Sequence, residues 1–328
     1  VFFINGYVHD IYAAEDIVNA DGKIIVAKDT LVEKAVTGTD GKCVFVSDLP
    51  LGQYYVKEIE APKGYVLNEE IFALDASYQG DDVKVIELEA TFANYPTKLE
   101  ISKTDITGEY ELKGATLSII DKDGNVVETW KSDGETHYIE RIPVGEYILR
   151  EEAAPYGYKI ANEVKFTVEN TKEIQKVSMK DELVSGKIII DKTDEVTGKG
   201  IAGVEFEIRD KDGKVIETLV TDKNGHAESK ELPIAVFKEG NFVEDIKYFV
   251  VETKAAEGYI LDSTPHEVVL QYDDEAPEVV TYTLSLTNKP TEPKLPQTGD
   301  NMNPWLYVGI GLAAIIAGVF TFRKKKSK

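Results

Sequence analysis

The chain has 328 residues, more than one ordinary β-domain holds and enough for two to four domains. Asp and Glu outnumber Lys and Arg by 59 to 37, which gives a formal net charge of −22. Because such a surface repels nucleic acid and anionic membranes, we expect neither as a partner. Cys43 is the only cysteine, so the chain has no internal disulfide to stiffen it.

Short apolar runs separated by turn signals fill most of the chain, and helical periodicity is nearly absent. The turn signals are the hairpin-forming dipeptides Asp21-Gly22, Asp40-Gly41, Asp123-Gly124, Asp212-Gly213 and Asn224-Gly225. This pattern predicts an all-β protein. The run that follows the second of these dipeptides predicts a strand in which Cys43 is buried.

One stretch of twelve residues occurs three times along the chain. Residues 54–65 read YYVKEIEAPKGY, residues 147–158 read YILREEAAPYGY, and residues 248–259 read YFVVETKAAEGY. Each copy places one glutamate on the same strand face as the inward hydrophobic residues, and these are Glu58, Glu151 and Glu252. The repeat therefore predicts three similar domains.

The repeats also set the expected domain boundaries. A Leu-Pro or Ile-Pro turn feeds the first two copies directly, whereas in the third copy an insertion running to Lys247 follows Leu232-Pro233. Segments of about 90–100 residues with regularly spaced short strands predict β-sandwiches of the immunoglobulin type joined end to end. We place them at residues 1–97, 98–184 and 185–290.

A second alignment concerns the first and last strands of each domain. Lys103 and Lys192 lie in similar Lys-Thr-Asp segments that open the second and third domains. The closing strands alternate so that Asp181 and Asn288 point inward, and Asn94 holds the same place in the first domain. The lysine strand of the first domain would precede residue 5, so we expect that strand and its lysine to be missing from a chain trimmed at its N-terminus.

The tail, residues 291–328, has three parts in a fixed order. Residues 305–322 are uncharged and predict a transmembrane helix, since 18 residues is about the minimum that spans a bilayer. The basic end that follows places the rest of the chain outside the cell. Just before the span lie Leu295, Pro296, Gln297, Thr298 and Gly299.

These features resemble two known families. The LPQTG pentapeptide with its apolar span and basic end resembles the LPxTG cell-wall sorting signal of Gram-positive surface proteins; an ordinary single-span protein is the alternative. The repeated segments resemble the prealbumin-like CnaB domains of adhesins and SpaA-type pilins, whose E-box reads YxLxExxAPxGY. We call the three repeats E-boxes; the third departs from the motif at Ala256 and Glu257.

The resemblance implies a chemistry for the inward polar residues. Lysine and glutamate are rarely buried unless they are paired, and desolvation favours the neutral forms of both groups. In the family, the lysine amine attacks an Asp or Asn side chain while the glutamate relays protons, which forms an isopeptide bond. The expected sets are Lys103, Glu151 and Asp181 in the second domain, Lys192, Glu252 and Asn288 in the third, and Glu58 with Asn94 in the first. No cofactor or metal is expected.

The function implied is a secreted, wall-anchored structural protein, an adhesin stalk or pilin-like subunit. By the resemblance, a sortase cuts between Thr298 and Gly299 and joins the chain to peptidoglycan. Other pilus subunits or host surface ligands are further candidate partners. The segment Tyr95-Pro96-Thr97-Lys98 is a faint match to a pilin motif, and we interpret it as an interdomain linker.

Two alternatives stay open. A ligand-binding adhesin would carry its binding domain upstream of this sequence. An anchored hydrolase has little support, because no Gly-x-Ser-x-Gly motif or metal-ligand spacing occurs. The four histidines, His9, His137, His226 and His266, are interpreted as surface or turn residues.

Overall fold

The computed structural model describes residues 6–272 and 279–291, and every regular element in these ranges is a β-strand. The predicted all-β class is confirmed. The pentapeptide at residues 295–299 and the apolar span at residues 305–322 lie outside the described residues. Within the described ranges, no helix has the length and hydrophobicity needed to cross a membrane.

The first unit is built around one four-stranded sheet with the order β4-β1-β5-β6 and a small β2-β3 ribbon. Its strands are β1 (Val8–Ala13), β2 (Ile17–Val18), β3 (Ile24–Val26), β4 (Leu31–Val36), β5 (Gln53–Glu60) and β6 (Ile71–Asp75).

The second unit is a two-sheet sandwich in which β10-β7-β13 faces β12-β11-β8-β9. Its strands are β7 (Lys98–Asp105), β8 (Lys113–Asp121), β9 (Val126–Asp133), β10 (His137–Glu140), β11 (Gly145–Ala153), β12 (Val164–Val168) and β13 (Ile174–Asp181).

The third unit repeats this plan and adds a hairpin. In one sheet β14 pairs with β17, β18 and β23, the other has the order β16-β15-β21-β22, and β19-β20 stands apart. The strands are β14 (Ser185–Asp194), β15 (Glu205–Arg209), β16 (Val215–Val220), β17 (His226–Glu228), β18 (Leu232–Pro233), β19 (Ala235–Lys238), β20 (Asn241–Asp245), β21 (Lys247–Lys254), β22 (His266–Val269) and β23 (Val279–Asn288).

In the second and third units the first and last strands lie side by side and run parallel. β7 pairs with β13 so that Lys103 stands opposite Met179, and β14 pairs with β23 so that Lys192 stands opposite Leu286. Because side chains alternate along a strand, the residue two positions further on the last strand shares the lysine's face. Those residues are Asp181 and Asn288.

Each unit has its own hydrophobic core, made by the inward positions of alternating strands. In all three units a buried E-box tyrosine also ties its strand to the preceding turn. The hydroxyl groups of Tyr54, Tyr147 and Tyr248 each donate a 2.7 Å hydrogen bond to a proline carbonyl oxygen. The acceptors are Pro50, Pro143 and Pro233, so the E-box strand of each unit holds the Leu-Pro or Ile-Pro turn in place.

The structure corrects the expectation for Cys43. Residues 43–46 form no strand, and the Cys43 side chain is half-buried rather than buried. In the other two units the matching strands, β10 and β17, pair with the lysine strand alone. Among the described residues of the first unit, no strand occupies that position, so residues 43–46 have no ladder to join.

Removal of the tyrosine-to-turn hydrogen bond should destabilise the first unit. We expect Tyr54→Phe to cost about 1 kcal/mol, because the Pro50 carbonyl loses its buried donor. A loss of that size lowers the Tm of a domain of this length by about 4–8 °C. Calorimetry of the full chain measures the shift in the first unit's transition.

Tyr55→Phe is the matched control, since the neighbouring Tyr55 hydroxyl reaches only the exposed Asp29 carboxylate at 3.2 Å. We expect its Tm to change by less than about 2 °C. Equal shifts in the two variants would contradict a structural role for the buried hydrogen bond.

Candidate functional site

The second unit buries a lysine between its two sheets. Lys103 follows Leu99 and Ile101 on the inward face of β7, and its side chain is 3% exposed. An isolated ammonium group at such a position would carry a large desolvation cost, so the groups around it decide whether the fold tolerates it.

Two carboxyl groups meet the Lys103 amine. Lys103 Nζ lies 2.8 Å from Glu151 Oε1, and it also contacts Asp181 Oδ1. The side chains of Glu151 and Asp181 are fully shielded from solvent. Glu151 Oε2 accepts a 2.6 Å hydrogen bond from the Ala161 backbone N–H, which holds this carboxyl group in place.

The electrostatics of this site favour a protonated aspartic acid. Burial raises the pKa of Asp181 to about 7, while the nearby Lys103 amine lowers it and Glu151 raises it further. Burial therefore favours the protonated form of the Asp181 carboxyl group more than it is favoured in an exposed aspartate.

The third unit contains a similar buried set. Lys192 Nζ lies 2.8 Å from Glu252 Oε2 and donates a 3.0 Å hydrogen bond to the Thr287 carbonyl oxygen. Asn288 Nδ2 donates a 2.7 Å hydrogen bond to Glu252 Oε1. The two oxygens of Glu252 thus contact the lysine amine and the asparagine amide nitrogen at the same time. The amine also lies 5.6 Å from the centre of the Phe206 ring.

In the first unit the glutamate and asparagine meet without a lysine. Asn94 Nδ2 donates a 2.6 Å hydrogen bond to Glu58 Oε2, and the Asn68 backbone N–H donates to Glu58 Oε1. Burial raises the pKa of Glu58, and these two hydrogen bonds oppose the rise. Among the described residues, no lysine contacts Glu58.

His9 is a buried neighbour of this site that the sequence analysis misread as a surface residue. It pairs with Glu58 across β1 and β5, the position that Leu117 and Phe206 hold beside the other two glutamates. Its Nε2 lies 3.8 Å from Glu58 Oε2, and burial lowers the His9 pKa. Its alternation with the buried residues Ile11 and Ala13 is the signal that could have identified it.

The remaining histidines do not gather into a site. His137 contacts Glu128 and stacks on Trp130, while His226 pairs with Asp191 at the surface. Cys43 Sγ approaches His9 Nδ1 at 4.0 Å, but burial raises the pKa of the Cys43 thiol and disfavours the reactive thiolate. In the part of the chain that the structure describes, no cluster of His, Cys, Asp and Glu could hold a metal ion.

Comparison with known families matches almost the whole chain. The SpaA family, described as a prealbumin-like fold domain, matches residues 8–89, 97–183 and 186–284. The family described as an LPXTG cell wall anchor motif matches residues 287–328.

One relative matches part of the chain at low sequence identity. Serine-aspartate repeat-containing protein D of Staphylococcus aureus strain Newman is 26% identical over a 259-residue alignment, which covers 64% of this chain and 19% of that protein. The chain thus spans about a fifth of that relative's length.

Solved structures align with most of the chain. The Bacillus anthracis TIE protein aligns at 25% identity with a TM-score of 0.50, covering 88% of this chain and 48% of that one. BcpA, the major pilin subunit of Bacillus cereus, aligns at 17% identity with a TM-score of 0.41, covering 88% and 95%.

Three SpaA-domain matches followed by an anchor motif agree with the three repeats and the tail. The chain belongs to the SpaA family of prealbumin-like fold domains and is a cell-wall-anchored surface protein of the Gram-positive LPXTG type.

Proposed function

We propose that this protein is a wall-anchored stalk or pilin-like subunit whose second and third units close covalently through isopeptide bonds. The observation that carries the proposal is the buried Lys103 amine, which touches both Glu151 and the Asp181 carboxyl group. Buried charges usually lower stability unless their surroundings compensate. Conversion of the amine and the carboxyl group to a neutral amide removes both ionisable groups and leaves a permanent link.

In the second unit, the neutral amine of Lys103 attacks Cγ of the protonated Asp181. The new C–N bond replaces a C–O bond, and the departing hydroxyl leaves as water with a proton from the amine. Glu151 Oε1, 2.8 Å from Nζ, is placed to take that proton and pass it on. The raised pKa of Asp181 supports this step, because the acid form is the better electrophile.

In the third unit, the Lys192 amine attacks the Asn288 carboxamide and ammonia leaves. Glu252 contacts the nucleophile through Oε2 and the leaving nitrogen through Oε1, so a single carboxyl group can move the proton between them. Oxygen from Asp becomes water and nitrogen from Asn becomes ammonia, so atoms balance in both units.

The crosslinks would change how the units carry load. The Lys103 and Asp181 pair is 78 residues apart in sequence, and by analogy with disulfides a loop of this length stabilises the unit by about 4–5 kcal/mol in the chain-entropy model. Tension entering β7 would pass through the bond to the end of β13 and bypass the rest of the unit. Such a crosslink would stiffen the exported stalk in place of a disulfide bond, which a chain with one cysteine cannot form internally.

The mass of the intact full chain should fall by about 35 Da relative to its sequence, since one water and one ammonia are lost. Glu151→Ala should restore about 18 Da and Glu252→Ala about 17 Da, because each variant lacks its proton relay. Mass spectrometry of the denatured chain measures both changes.

Glu152→Ala provides a matched control, because Glu152 is exposed on the same strand. Its mass deficit should equal that of the parent. An unshifted parent mass, or a deficit that survives Glu151→Ala, would refute the crosslinking mechanism.

Attachment to the wall is proposed to proceed through sortase cleavage between Thr298 and Gly299, which joins the Thr298 carbonyl to a peptidoglycan amine and discards the tail. When a Gram-positive host exports the parent chain, enzymes that digest the cell wall should release it. The Thr298→Ala variant should instead stay in the membrane fraction. Asn301→Ala, just beyond the pentapeptide, should leave it in the wall fraction. Wall attachment that persists in Thr298→Ala would rule out this route.

The first unit is proposed to stay uncrosslinked in this chain, so ionisation of Glu58 should affect its stability. Burial raises the folded-state pKa of Glu58, so the protonated side chain contributes to the stability of the first unit. This contribution is fully present below the unfolded-state pKa of about 4.3 and is lost as pH rises through the raised folded-state pKa. From about pH 4.5 to about pH 7.5, the parent's first transition should lose several degrees relative to Glu58→Gln.

Calorimetry of the full chain at the two pH values tests this expectation. Glu60→Gln is the control, because Glu60 is exposed on the same strand and should track the parent. If the difference between the parent and Glu58→Gln did not vary with pH, the assignment to this carboxyl group would be wrong.

A further inference from the structure

The hairpin β19-β20 of the third unit packs against residues 154–158 of the second unit, the loop that ends its E-box. Tyr158 contacts Phe237 edge-to-face at 5.1 Å between ring centres, and Tyr156 contacts Phe242 in the same way at 4.7 Å. Tyr272, which follows β22, meets Tyr156 at 5.3 Å. Aromatic rings favour such edge-to-face pairs, because the positive edge of one ring meets the negative face of the other.

Hydrogen bonds fasten the same contact. Tyr156 Oη donates to Asp245 Oδ1 at 3.0 Å, and Tyr158 Oη donates to the Gly240 carbonyl oxygen at 3.1 Å. Tyr272 Oη donates to the Tyr158 carbonyl oxygen at 3.3 Å. The hairpin and the loop are thus joined by apolar and polar contacts on both of its strands and at its turn.

A glycine in each E-box shows where the next unit docks. A Cβ on Gly157 would lie 2.5 Å from Phe237 Cζ, and a Cβ on Gly64 would overlap the Arg141 carbonyl of the second unit. Gly258 has the same kind of backbone, with φ of +86° against +78° at Gly157, yet a Cβ there would meet nothing within 4 Å among the described residues. Gly64 and Gly157 lie in units that are followed by another described unit. They therefore differ from Gly258 by the close approach of that next unit, and not by φ alone.

The two joints differ in chemistry. At the first joint the Arg141 N–H donates to the Thr97 carbonyl oxygen, and the Leu67 N–H donates to Asn170 Oδ1 at 2.8 Å. The Arg141 guanidinium also lies over the Tyr65 ring, 5.5 Å from its centre. The second unit runs from β10 to β11 with no hairpin between them, so no aromatic hairpin reaches back to the first unit.

We propose that the β19-β20 hairpin is an interdomain brace that holds the second and third units as one rigid segment, while the first joint bends more freely. The insertion between Leu232-Pro233 and Lys247 forms this brace, and Phe237 of the brace packs against Gly157 of the second unit. The brace requires no crosslink, so it stands independently of the covalent chemistry above.

Distances between spin labels on the full chain in detergent micelles test the brace. In a Cys43→Ser background, cysteines replace the exposed Lys122 of the second unit and Lys223 of the third. The parent should give one narrow distance distribution. Phe237→Ala with Phe242→Ala should broaden it by about twofold or more, because packing at the joint is lost.

Gly157→Ala and Gly258→Ala form the matched pair that separates docking from backbone strain. Both place alanine at a positive φ, but Gly157→Ala alone should broaden the distribution. Labels at Lys122 and Glu173, both in the second unit, should keep their distance in every variant and show that the unit remains folded.

Two results would overturn the brace. One is a narrow distribution in both the double Phe variant and Gly157→Ala. The other is a parent distribution as broad as that between labels at Lys23 and Lys122, which report on the first joint.

Discussion

A lysine amine held between two sheets governs the architecture of the second and third units. Lys103 and Lys192 can be buried only because a glutamate from the opposite sheet and the last inward residue of the neighbouring strand surround each amine. That arrangement requires the first and last strands to run parallel and adjacent, with a register that offsets the partners by two residues. Strand order, register and core polarity are therefore coupled.

The first unit shows what changes when that interaction is absent from the described residues. Its Glu58 meets Asn94 and the imidazole of His9 instead of an amine, and residues 43–46 form no ladder. The same carboxyl group that contacts a lysine amine in the other units here accepts hydrogen bonds from the Asn94 side chain and the Asn68 backbone N–H. We therefore expect the stability of the first unit to depend on protonation of Glu58, because burial disfavours the charged carboxylate.

The E-box segments contribute to the joints between units as well as to the units themselves. The first two E-boxes each supply a strand to the core, a glutamate to the buried cluster, and a glycine against which the next unit packs. In the two proposals above, rigidity within a unit and rigidity between units thus originate in one segment. For a protein that is fixed to the cell wall at one end, resistance to bending and resistance to unfolding are both useful under shear.

Sequence alone determined the properties that follow from periodicity and motif: the all-β class, three repeats, the anchor, and the inward facing of Lys103, Glu151 and Asp181. Alternation along a strand reports which face a residue occupies, and the repeats multiply that signal. Tertiary structure alone decided the parallel pairing of the first and last strands, the burial of His9, the irregular course around Cys43 and the packing of Phe237 on Gly157. These depend on contacts between residues far apart in the chain, and no local pattern records which surfaces meet.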